Sequence, residues 1–264
     1  RLLGQILGCQ FGRIQFTADL MPSDITGQPV FDSRIQDFRF RRGPIFTQLL
    51  LADEINRSPA KTHAALLEIM QENHVTVDGV TYPLEPPFLV MATQNPIESE
   101  GTYSLPEAQL DRFLFKLVVE YPTADEEDSI LQLHCRINFA DQPISQLVQP
   151  RMTPARILEL QGLCRTVAVD DKIVKYINQI VRKTREWPAF YMGASPRAGI
   201  ALLGGARVLA AFAGRSYVTP DDVSELVIPA LRHRVILSPE AEVEGETTDR
   251  SLQLLLKSIE VPRL

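Results

Sequence analysis

The run Leu49-Leu50-Leu51-Ala52-Asp53-Glu54 decides the fold. Apolar residues in succession, without alternation, are the pattern of a strand covered on both faces, as in a parallel sheet, and this run stops abruptly on two carboxylates. A second such run, Phe88-Leu89-Val90-Met91-Ala92, stops on Thr93-Gln94-Asn95-Pro96. Ligands of open α/β sheets collect outside the carboxyl ends of the strands, so the two polar tips are expected to face one crevice. Adjacent carboxylates repel each other. The pair at 53 and 54 therefore reads either as the seat of a divalent cation or positioned water, or as an exposed acidic turn that caps the next helix.

Upstream, Arg13-Ile14-Gln15-Phe16-Thr17 alternates as a strand, and Pro22 with Ser23-Asp24 suits the start of a short helix. Val30-Phe31 and Phe38-Arg39-Phe40-Arg41 bracket a polar middle and predict a two-stranded excursion with one apolar face. Its Arg39 and Arg41, with Arg42, read as a solvated face or as contacts to a substrate or partner. Between the two apolar runs, Ser58 as N-cap and Pro59 as first position open an amphipathic helix formed by Ala64, Leu67, Ile69 and Met70, with Leu66 beside them. Asp78-Gly79, flanked by alternating β-formers over residues 75–82, predicts a hairpin closed by a type I′ turn. A helix at 106–113 is expected to lead into a last strand at 115–120.

Beyond Tyr121-Pro122 the periodicity predicts helices at 126–136, 154–164, 171–186, 196–213 and 220–234. Thr153-Pro154, Ser195-Pro196 and Thr219-Pro220 each have the form of an N-cap followed by a first helical residue. Prolines and polar residues between 142 and 154 interrupt the pattern, which divides the chain into an α/β core at 1–142 and an all-helical part at 143–264, with an exposed acidic tail at 240–249.

The 264 residues are 45% hydrophobic and 23% charged, enough to bury one or two cores. Lys plus Arg total 27 against 33 Asp plus Glu, a net charge of −6 that offers no general grip on nucleic acid or an anionic membrane. Cys9, Cys135 and Cys164 are far apart, which argues against a disulfide framework or structural zinc and for the cytoplasm. His63, His74, His134 and His233 show no metal-ligand spacing and are expected at the surface or its boundary; the serines lack a GxSxG elbow. The most apolar stretch, 198–213, carries Arg207 and three glycines and reads as a buried helix rather than a membrane span. Residues 1–9 read as the end of a helix capped by Gly8, so the chain is expected to begin inside a fold.

Leu50-Leu51-Ala52-Asp53-Glu54-Ile55-Asn56-Arg57 resembles the Walker B segment of AAA+ ATPases, specifically of the MoxR family. Met91-Ala92-Thr93-Gln94-Asn95-Pro96, Glu100-Gly101-Thr102-Tyr103, Leu105-Pro106-Glu107-Ala108-Gln109-Leu110-Asp111-Arg112-Phe113 and Gly193-Ala194-Ser195-Pro196-Arg197 are similar to further family motifs, in the family's order. The resemblance implies an AAA+ P-loop-type parallel sheet core with hairpin insertions, followed by an all-helical lid domain. It implies ATP and Mg²⁺ as cofactors, with Asp53 holding the metal and Glu54 polarising the attacking water. Asn95 matches the sensor 1 position that would contact the γ-phosphate and that water, and otherwise reads as a turn residue before Pro96.

Arg112 resembles an arginine finger acting in a neighbouring subunit, and otherwise reads as a helix-end arginine paired with Asp111 or Glu107. Arg197 matches the sensor 2 arginine of the lid. It also stands at a helix N-terminus, where a cation calls for a compensating anion such as a nucleotide phosphate. Arg57 reads as a trans-acting residue or a salt-bridge partner. The family implies a ring, hexameric by analogy, a partner with a von Willebrand factor A domain, and client proteins that are remodelled or receive a metal or cofactor. No GxxxxGK[ST] string occurs, and the chain is expected to start just after that loop. The alternative is a nucleotide-independent oligomeric scaffold on a degenerate AAA+ fold; a DNA motor is a third reading, weakened by the acidic balance.

Overall fold

The two apolar runs lie side by side. In a computed structural model, which describes residues 1–95, 103–136 and 148–263, they form the centre and one edge of a three-stranded parallel sheet. Pro96, Glu100-Gly101-Thr102 and the expected boundary at 142 and 143 lie outside the described residues. The chain divides into two compact units, Arg1–Ser104 with Val118–Leu158, and Leu105–Leu117 with Glu159–Leu264.

The first unit opens with α1 (Leu2–Leu7), which ends at Gly8 in the left-handed conformation, and β1 (Phe11–Gln15). A short helix α2 (Pro22–Thr26) leads into the hairpin β2 (Gly27–Asp32) and β3 (Asp37–Arg42), then β4 (Leu49–Asp53), α3 (Ala60–Glu72), the hairpin β5 (His74–Val77) and β6 (Val80–Pro83), and β7 (Leu89–Ala92). The sheet order is β1-β4-β7, with Gln15 beside Asp53 and Ala52 beside Ala92. Leu49, Leu50 and Ala52 are buried, as an uninterrupted apolar strand requires. Helix α3 buries Leu66, Leu67 and Ile69, each worth at most about 1.5–3 kcal/mol in apolar area removed from water.

Helix α3 begins one residue later than its sequence suggests: Pro59 holds the N-cap position and Ser58 is fully buried instead of capping. Both hairpins form. Asp78 and Gly79 have φ of 49° and 77°, the two positive values that a type I′ turn demands and that glycine adopts without strain. Phe40 of β3 stacks on Tyr82 of β6 at 4.3 Å between ring centroids, so the two insertions brace each other. Arg39, Arg41 and Arg42 are exposed, Arg42 lying over the Phe46 ring.

The expected strand at 115–120 does not form; among the described residues it pairs with no strand, and the Lys116 amide donates to the Pro229 carbonyl at 2.9 Å. The helix expected at 106–113 shrinks to α4 (Glu107–Leu110). Further helices are α5 (Ala124–Arg136), α6 (Pro154–Arg165), α7 (Asp171–Thr184), α8 (Pro196–Phe212), α9 (Pro220–Leu231), α10 (Pro239–Val243) and α11 (Thr248–Lys257). The second unit also holds a short antiparallel pair, β8 (Phe190–Met192) with β9 (Ile236–Leu237), which the periodicity of its flanking helices hides. Its core joins Ile173, Tyr176 and Ile180 of α7 to Leu202 of α8, Val223 and Val227 of α9, and Leu252 and Leu255 of α11. Helix α8 buries alanines at 198, 201, 206 and 210 and packs on α9, where a Cβ at Gly205 would stand 2.6 Å from the Leu226 side chain. The tail at 240–249 is mostly exposed, as expected, with Ala241 buried and Asp249 paired with Arg232. No helix among the described residues is long and apolar enough to cross a membrane.

Candidate functional site

Strand β4 ends at Asp53, and the next residue is where the backbone departs from ordinary geometry. Glu54 has φ 53° and ψ 49°, the left-handed conformation that a side chain with a Cβ adopts only at a cost. The surroundings hold it there. The Glu54 amide donates to Thr93 Oγ1 at 2.9 Å, the Ile55 amide to the Thr93 carbonyl at 2.9 Å, and the Thr93 amide to the Ala52 carbonyl at 2.9 Å. The Ile55 carbonyl meets His63 Nε2 of α3 at 2.5 Å.

Asp53 accepts from the Thr93 hydroxyl at 2.6 Å through Oδ1, and from Arg13 Nη2 and Nε at 2.5 and 3.1 Å through Oδ2. The Thr93 hydrogen bond, then those from Arg13, hold its carboxyl below the usual range against partial burial, so it is ionised at neutral pH. Glu54 Oε2 accepts from Gln15 Nε2 of β1 at 2.7 Å and from Arg57 Nη1 at 3.0 Å. Of the two readings of Arg57, the structure displays the ion pair. Asn95 joins this end through its backbone: Asn56 Nδ2 donates to the Asn95 carbonyl at 3.3 Å, and the Tyr103 amide donates to the Asn56 carbonyl at 2.7 Å. Asp53, Glu54 and Asn95 therefore gather at the carboxyl ends of neighbouring strands, β4 and β7.

Arg112 and Arg197 belong to the second unit. There the Asp111 carboxylate accepts from Ser195 Oγ at 3.0 and 2.8 Å and from Arg234 Nε at 3.0 Å, and lies 3.6 Å from Arg197 Nη1. The anion that compensates Arg197 at the start of α8 is thus Asp111 in this structure, which removes the electrostatic argument for a phosphate there. Arg197 is half-exposed, whereas the Arg234 side chain is 3% exposed and also donates to the carbonyls of Asp111, Phe113, Leu114 and Ala230. Its bonds to the carbonyls of Asp111, Phe113 and Leu114 fasten the turn that follows α4 at Asp111-Arg112-Phe113. Gly193 is required by proximity: a Cβ there would stand 2.6 Å from the Arg185 backbone.

Two histidines correct the expectation of a surface position. His63 and His233 are buried, because each spends a ring nitrogen on a backbone carbonyl, Ile55 for the first and Phe113, at 3.0 Å, for the second. Burial pushes the His233 imidazole down to about 4, with Arg234 and Lys116 adding to the effect. Thr93, Arg13, Asp111 and Arg234 escape a reading of the sequence, although Thr93 and Asp111 stand inside the motifs that drew attention to their neighbours. Among the described residues no three His, Cys, Asp or Glu side chains cluster as a metal site, and the three cysteines are unbridged.

A parallel α/β unit with paired acids at its central strand tip, joined to a helical unit with an arginine at the start of a long helix, defines an AAA+ protein. Comparison with known families agrees: residues 1–115 match the ATPase family associated with various cellular activities, and residues 182–254 match the AAA lid domain. The uncharacterized protein YeaC of Bacillus subtilis (strain 168) is 46% identical over 99% of this chain and 80% of its own length. Chaperone MoxR1 of Mycobacterium tuberculosis is 41% identical, covering 98% and 70%. A crystal structure of a protein from Cytophaga hutchinsonii, described as a candidate ATPase, superposes with a TM-score of 0.90 at 39% identity, covering 99% of this chain and 81% of that one. The chain belongs to the MoxR family of AAA+ ATPases.

Proposed function

We propose that the protein hydrolyses ATP and uses the turnover to remodel or mature client proteins, including insertion of a metal or cofactor. It would act in the cytoplasm as a ring of subunits, hexameric by analogy, beside a partner bearing a von Willebrand factor A domain. The observation that supports this best is the strained Glu54 backbone, held beside an ionised Asp53 by the adjacent strand. Strain of this kind persists where the surrounding structure over-determines it, and it concentrates at functional sites.

Asp53 would contribute one ionised carboxylate to Mg²⁺ arriving with a nucleotide, an ion held by one or two carboxylates together with substrate phosphates, and Arg13 would give up its hold on Oδ2 to it. Bound there, the ion would supply charge neutralisation on the phosphates. Glu54 Oε2 is fixed by Gln15 and Arg57, while Oε1 accepts no hydrogen bond among the described residues and would take the proton of the attacking water. The Asn95 amide would hydrogen-bond the γ-phosphate and that water. Arg112, on the turn set by Arg234, would reach a neighbouring subunit's site and stabilise transition-state charge. Arg197 would exchange Asp111 for a phosphate, coupling nucleotide state to the helical unit.

The test is Glu54→Gln in the full-length protein. Turnover should fall about 10²-fold or more while ATP affinity stays within a few-fold, since the amide keeps the shape but accepts no proton. Undiminished turnover would remove Glu54 from the reaction.

A further inference from the structure

We propose that Thr93 is a positioning residue for hydrolysis, whose single hydroxyl ties the backbone of Glu54 to the carboxylate of Asp53. The allocation of its proton follows from the partners. An amide N–H only donates, so Thr93 Oγ1 must accept from the Glu54 amide at 2.9 Å, and its own proton goes to Asp53 Oδ1 at 2.6 Å. Two neighbouring acids with separate tasks are thus aligned by one atom from the adjacent strand. The main chain of Thr93 completes the clamp, accepting from the Ile55 amide and donating to the Ala52 carbonyl, both at 2.9 Å.

Geometry explains why the hydroxyl matters. Glu54 sits in a left-handed turn that its side chain disfavours, so its direction depends on what fastens its amide. Without that acceptor the turn is free to relax toward ordinary strand or helical geometry, which swings the Glu54 carboxylate away from its place between Gln15 and Arg57. Asp53 would at the same moment lose the hydrogen bond on Oδ1 while Arg13 still holds Oδ2, and the carboxylate would rotate toward Arg13. The inference rests on the reading of Glu54 as the group that activates water.

Thr93→Val keeps the shape and removes the hydroxyl; Thr93→Ser keeps the hydroxyl. In the full-length protein, Thr93→Val should lower kcat about tenfold or more with the KM for ATP changed less than threefold, and Thr93→Ser should restore kcat to within about threefold. Independently of turnover, hydrogen exchange at the Glu54 amide should speed up in Thr93→Val and not in Thr93→Ser. A residue that merely supported the fold would shift the unfolding midpoint without separating kcat from KM. Glu54→Gln run alongside separates the two claims. If it abolishes turnover while Thr93→Val leaves kcat intact, or if valine and serine behave alike, the role of Thr93 is overturned alone. If Glu54→Gln is fully active, both fall.

Discussion

Replacing Glu54 by glycine and, separately, by alanine tests whether the backbone at the tip of β4 stores strain. Both variants lose the same side-chain contacts, to Gln15 at 2.7 Å and to Arg57 at 3.0 Å. The Arg57 pair is 40% and 24% exposed, and a pair this open contributes about 0.2–1 kcal/mol. What distinguishes the variants is the backbone. At φ 53° and ψ 49° alanine carries a left-handed cost of about 1–2 kcal/mol that glycine does not, while the greater freedom of glycine in the unfolded chain takes back about 0.5–1 kcal/mol. Glycine should therefore be the more stable of the two by roughly 0–1.5 kcal/mol, centred on about 0.75 kcal/mol, with about 2–4 °C in Tm for each kcal/mol in a protein of this size. Urea unfolding followed by circular dichroism, with hydrogen exchange in β4 and α3 to localise the change, measures it. Neither variant should turn over ATP, so the gain in stability would come with no gain in activity. An alanine variant more stable than the glycine one by about 0.5–1 kcal/mol, the difference expected of an unstrained backbone, would refute the claim of strain.

Three further outcomes follow from the second unit. Arg234→Met removes a guanidinium whose side chain is 3% exposed and leaves the Asp111 carboxylate partly buried with one partner fewer; it should cost about 3–5 kcal/mol, read as a lower unfolding midpoint of this unit. Gly193→Ala places a Cβ 2.6 Å from backbone atoms of Arg185, which cannot rotate away, and should cost about 1–3 kcal/mol and loosen Ser195 and Arg197, visible as faster exchange at the start of α8. His233 has a folded value depressed from 6.5 to about 4, so below 6.5 the unfolded chain binds more protons than the folded one. The unit should lose up to about 3 kcal/mol as pH falls from 6.5 toward 4, and His233→Gln should flatten that part of the stability profile. An equally steep profile in the variant would mean that another group is responsible.

Much of the fold was legible because it is written in short-range pattern. The unbroken run ending at Asp53 announces a buried strand, Asp78-Gly79 a tight hairpin, and Ser195-Pro196 a helix start, since each depends on residues within a few positions of one another. The same locality misleads at 115–120, where the residues favour a strand but find no strand partner among the described residues. Resemblance to a family supplied the candidate residues at the site, but not what holds them.

The sequence by itself determined the class of fold, the hairpins and parallel strands of the first unit and the acids at the end of the central strand, because apolar periodicity and turn chemistry act between near neighbours. Only the tertiary structure decided that Thr93 joins Glu54 and Asp53, that Arg13 pairs with Asp53, and that Arg234 and Ser195 hold Asp111. Those partners lie about 40 to more than 120 positions apart in the chain. A hydrogen bond needs its two atoms within about 3 Å, and no local pattern encodes which distant side chain will be brought there.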